Sequence, residues 1–165
     1  MKNAILAFVI FCISCNSGEK KAGINNNEKE SASASGSSIS VTQNGATELE
    51  DKGNNIAGML TGPDLSLFLN GPKASLTIDL PDAAEGSFPV TESKSLTPEK
   101  GKAHISLVPD LNSSFKHALN PQQGTLTIAQ LNKKTCSGHF EATYKGVAGN
   151  YELKGDFKNV PLKKN

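Results

Sequence analysis

The groups in this chain that could do chemistry are three histidines, one cysteine in the body of the chain, and scattered carboxylates. His139 and Glu141 stand two apart in an alternating stretch, so they share one face of a strand. A metal or acid–base centre would need a third group from another strand, for which His104 and Asp156 are the candidates. No His-x-x-x-His spacing supports such a centre, and the Cys-x-x-Cys of Cys12 and Cys15 lies at the N-terminus, apart from these residues. The plainer expectation is that His104 and His139 point outward from a wet sheet face. Cys136 alternates with Gly138, Phe140 and Tyr144 on the apolar side. That makes it a small core residue, since a reactive thiol sits partly exposed in electropositive surroundings. There is no Gly-x-Ser-x-Gly elbow and no phosphate-binding loop. With no tryptophan and two tyrosines, little is available to stack on sugars, which counts against a glycan hydrolase or lectin. Phe88 and Phe115 are the candidate anchors for a partner, with covering the core as the plainer role. Both lie in the loop-rich stretch 82–121.

The clearest chemical signal is at the N-terminus. Lys2 opens a short positive region, and Ala4 to Ile13 is an apolar run. The run suits a signal-peptide core and falls short of the about 20 residues that a membrane span needs. Cys12-Ile13-Ser14-Cys15 follows, with Asn16-Ser17-Gly18 after it. This motif resembles the lipobox of a bacterial lipoprotein, with Ser14 at −1, Ile13 at −2 and Cys15 as the lipidated residue. Cys12 takes the −3 place where Leu is usual, a relaxed form like that of lipoproteins of the Bacteroidetes or the spirochaetes. Asn16 at +2 is not the Asp that marks inner-membrane retention in enterobacterial lipoproteins, so the resemblance implies the outer membrane. Residues 1–14 are therefore expected to be a signal peptide. Once Cys15 is acylated, Cys136 has no partner, so the domain must hold together without a disulfide.

From Asn16 to Ser38 the only large apolar residue is Ile24. Such a segment cannot offset its ordering entropy by burial. Residues 15–38 are expected to form a lipidated flexible spacer with a reach of about 26 Å. Residues 39–165 are expected to be a single domain. All 17 basic residues are lysine, against 16 acidic ones. This balance argues against a nucleic-acid partner.

The domain shows period-two patterning. Leu65, Leu67 and Leu69 alternate with Ser66 and Phe68, and Leu76, Ile78 and Leu80 with Thr77 and Asp79. Ala103, Ile105 and Leu107 repeat the pattern, then Leu126 and Ile128. The longest examples run from Cys136 to Tyr144 and from Tyr151 to Phe157. Turn signals separate these runs, among them Gly62-Pro63, Asn70-Gly71-Pro72, Pro81-Asp82 and Gly149-Asn150. The expected class is all-β: an antiparallel β-sandwich, or alternatively a small β-barrel. One short helix is expected around Leu111 to Leu119. Leu76-Thr77-Ile78 with Gly86-Ser87-Phe88, and Leu126-Thr127-Ile128 with Gly138-His139-Phe140, could be two copies of one hairpin or a chance likeness. Gly155-Asp156-Phe157 adds a third Gly-x-Phe, which suggests glycines that admit phenylalanines to the core.

The segments Gly124 to Ile128, Cys136 to Ala142 and Tyr151 to Val160 resemble the C-terminal half of small uncharacterised Bacteroidetes lipoprotein domains. Those read Gly-x-Leu-x-Ile, then Ser-Gly-x-Phe-x-Phe, then Gly-x-Phe. Ala142 stands where that family often has an aromatic. The resemblance implies a β-sandwich in the cell envelope and carries no activity with it. The expected function is a non-enzymatic binding or structural role, without cofactor, at the membrane through lipid on Cys15. An envelope protein or a small ligand is the expected partner, and the domain would face the periplasm or the cell surface. The alternatives are a lipocalin-like carrier of a small apolar ligand and a metal-dependent envelope enzyme built on His104, His139 and Glu141.

Overall fold

The structure, a computed structural model, describes residues 34–92, 99–147 and 149–165. The expected signal peptide, Cys15 and the spacer up to residue 33 lie outside the described residues.

Ten strands follow one another: β1 (Gly36–Gln43), β2 (Ala46–Gly53), β3 (Asn55–Thr61), β4 (Asp64–Asn70), β5 (Ala74–Leu80), β6 (Gly86–Thr91), β7 (His104–Pro109), β8 (Gln123–Leu131), β9 (Thr135–Gly146) and β10 (Gly149–Lys164). Gly36, Ser37 and Ser38, read above as the end of the spacer, are the first residues of β1. All three pair there with β10, and Ser37 and Ser38 also pair with β2.

All ten strands join one sheet, ordered β6-β8-β9-β10-β3-β4-β5-β7, with the β1–β2 hairpin attached to β10. Its two ends meet where Val90 bridges Ala103, so the sheet folds on itself and nearly closes. The all-β expectation holds, in a form close to the barrel. Pro89 is tolerated within β6 because one side of that strand is not a full ladder. There the Pro89 carbonyl accepts from the Ala103 N–H at 2.9 Å, and the Thr91 N–H donates to Ala103 O at 3.0 Å.

The inward rows explain why these residues form strands together. Leu67 lies opposite Ile78, Leu69 opposite Leu76, Ile78 opposite Ile105 and Leu76 opposite Leu107, all buried. The Gly-x-Phe motifs interlock on β9 and β10. Phe140 lies opposite Gly155, and Phe157 opposite Gly138. A Cβ on Gly155 would come within 2.5 Å of the Phe140 ring, and one on Gly138 within 2.7 Å of the Phe157 ring. Each phenylalanine thus lies across the glycine of the neighbouring strand, which no larger residue would permit. The two supposed hairpin copies are not equivalent. β8 pairs with β9, whereas β5 pairs with β4 and β7 and makes no ladder with β6.

No helix forms at 111–119. The Asp110 carboxylate accepts the Asn112 N–H at 2.8 Å and so turns the chain locally. The following residues extend until Leu119 bridges Leu107 on β7. Strands β1, β2 and β3 are not marked by the alternation read from the sequence, and β6 is marked only by Gly86-Ser87-Phe88. β2 shows the reason: its inward positions are Leu49, Asp51 and Gly53, so it has almost no apolar alternation to read. Asn44 and Gly45, both at positive φ, turn β1 into β2 and were the legible sign of that hairpin.

Asp51 is buried and faces the β4–β5 turn. Its carboxylate accepts the N–H groups of Lys73 (2.9 Å), Ala74 (2.7 Å) and Lys52 (3.0 Å). Gly71 in that turn has no room for a side chain, because a Cβ would collide with the Asp51 carboxylate.

Candidate functional site

β9 places His139 and Glu141 on its outer face, as their spacing implies. They line a shallow depression with Thr125 and Thr127 of β8 and Glu152 and Lys154 of β10. Across the ladders, Thr127 and Asp156 flank His139, and Thr125 and Lys154 flank Glu141. Glu141 faces a cation, with Lys154 Nζ at 3.7 Å. Both members of that pair are more than half exposed, which leaves it weak in water. Of the two groups considered as a third member, Asp156 is the strand neighbour of His139. His104 is elsewhere, on β7, which pairs with β5.

His104 corrects the expectation of an outward, wet side chain. It does alternate out of phase with Ile105 and Leu107, yet it is 8% exposed. Neither ring nitrogen has a hydrogen-bond partner. Its cross-strand neighbour is Asp79, whose carboxylate accepts the Ser66 hydroxyl at 2.6 Å. The row Ser66–Asp79–His104 holds the three residue types of a hydrolase triad in the wrong order, since the imidazole must stand between serine and carboxylate. Among the described residues, no group of three His, Cys, Asp or Glu side chains is placed to hold a metal ion.

Cys136 is fully buried on β9, and burial pushes its thiol up to about 12. Such a thiol carries almost no thiolate at neutral pH and is a poor nucleophile. Phe115 is buried in the core and Phe88 is half-buried against it. Phe115 therefore offers little surface to a partner.

The residues that sequence reasoning missed lie at the β9–β10 turn. Tyr144 and Tyr151 are direct cross-strand partners. Their ring centroids are 6.4 Å apart, and His117 lies 5.6 Å from Tyr151. Phe115 meets both His117 and Tyr151 edge-on, at 5.6 and 5.9 Å. The hairpin closes between Gly146 and Gly149, just before the turn expected at Gly149-Asn150, and that closure sets Tyr144 opposite Tyr151.

No family model, curated protein or solved structure matches this chain.

Proposed function

We propose that this protein is a cell-envelope lipoprotein, held to the outer membrane by acyl chains on Cys15, whose barrel has a non-enzymatic binding or structural role. The observation that carries this reading is the apolar run Ala4–Ile13 leading into Cys12-Ile13-Ser14-Cys15, followed by a polar spacer. A non-catalytic role is supported by the separation of the candidate acid–base groups, with His139 and Glu141 on β9 and His104 on β7. The alternative of an apolar carrier draws no support from an interior filled by Phe140, Phe157, Leu67, Leu107 and Leu126. The test is intact mass and membrane partitioning of the chain beside Cys15→Ala. A mass matching cleavage before Cys15 plus acyl chains, with partitioning lost in the variant, is the expected result. A soluble product with unmodified Cys15 would overturn the reading.

A further inference from the structure

The chain has only two tyrosines, and the fold brings both to one place. They line a depression of about 280 Å³ together with Lys116, His117, Gly146 and Val147. Gly146 is part of the construction, since a Cβ there would lie 2.5 Å from the Tyr144 ring. The ring can therefore lie across the hairpin backbone. Tyr151 is buried between Tyr144 and His117 and, with Phe115 behind, holds the group in place. The result is a supported aromatic wall with an imidazole at its edge.

Among the described residues the lining contains no carboxylate, while Lys116 supplies an amine and His117 an imidazole. The Lys116 amine donates to the Leu111 carbonyl at 2.8 Å, which fixes its position and leaves two further N–H donors. Aromatic faces favour the C–H face of a ring, and the amine favours an anion attached to that ring. The volume suits one ring and is too small for an acyl chain or a folded partner. β8 pairs with β9 only as far as Thr143, so the ladder edge beside the depression is the three-residue stretch Tyr144–Gly146. Tyr151 pairs with Gln43, the last residue of β1, whereas the chain enters the barrel at Gly36. The depression thus lies about 23 Å along β1 from the point of entry.

We propose that this depression is a binding subsite for an acidic pyranose ring of a glycan. The proposal deepens the binding role above and rests on it only for the compartment where such a glycan is met. It also reverses the expectation that two tyrosines are too few for sugar recognition.

Because there is no tryptophan, tyrosine emission reports on this site directly. The full chain in detergent would be titrated with glucuronic acid, glucose and sodium acetate. Glucuronic acid should change the emission saturably in the millimolar range, and glucose should bind about tenfold more weakly for want of the charged contact. Acetate should have no saturable effect. Lys116→Met should reduce glucuronic acid to the level of glucose and leave glucose unchanged. Tyr144→Ala should lose both sugars, while Tyr144→Phe should keep them. No saturable response to either sugar would overturn the proposal, as would equal responses to acetate and glucuronic acid. Equal loss of both sugars in Lys116→Met would overturn the assignment of the charged contact. Intact mass on the same sample separates the two readings. An unacylated chain that binds glucuronic acid refutes the anchor and leaves the site standing, and an acylated chain that binds neither sugar does the reverse.

Discussion

Asp51 on β2 and His104 on β7 are both polar side chains buried in strands, at 4% and 8% exposure. Asp51 accepts three backbone N–H groups, whereas neither nitrogen of His104 has a partner. The contrast separates two reasons for burying a polar group. Asp51 is buried because the β4–β5 turn presents amides that need an acceptor, and a carboxylate supplies one shared among three donors. His104 is buried because its neighbours are drawn in. Ala103 closes the sheet against β6, and Ile105 and Leu107 fill the core. One residue organises its surroundings, and the other is carried along by them.

Removing the organiser should have the largest effect. Asp51→Ala leaves the amides of Lys73 and Ala74 without their acceptor and should cost about 3 kcal/mol in denaturant unfolding. A loss below about 1 kcal/mol would break the contrast.

Cys136 sharpens it, as a buried titratable group that avoids the problem by staying neutral. Its folded value of about 12 lies above the ordinary 9.0. Between these values the unfolded state releases a proton that the folded state retains. Stability is therefore complete below pH 9 and falls as pH rises toward 12. The contribution should be about 1.4 kcal/mol per pH unit, measured as the difference from Cys136→Ala.

His104→Leu should raise stability by about 1 kcal/mol, because an apolar side chain removes two unpaired nitrogens. A marked loss of stability would show that His104 has a partner of its own. The smallest effect belongs to the outer face of β9. Lys154→Ala breaks only the exposed pair with Glu141 and should change stability by a few tenths of a kcal/mol, less in salt.

How much was legible follows the same division. The inward rows of β4, β5, β7, β8, β9 and β10 were readable because period two is a local property of the backbone. Leu65, Leu67 and Leu69 announce their face whatever strand lies beside them. Cys136 was readable as core for the same reason. β2 was not, since Asp51 and Gly53 occupy inward positions usually marked by apolar residues. The Asp51 carboxylate finds its partner amide, that of Lys73, in a turn 22 residues away. His104 was misplaced because alternation tells which way a side chain points and says nothing of what covers it.

By itself, then, the sequence determined the all-β class, the inward faces of most strands and the buried thiol, each set by neighbours along the chain. The tertiary structure alone decided the strand order, the near closure between Val90 and Ala103, and the separation of His104 from His139. It also decided the meeting of Tyr144, Tyr151 and His117. These depend on which distant segments share a core, and that choice is made by burial over the whole chain rather than by any local period.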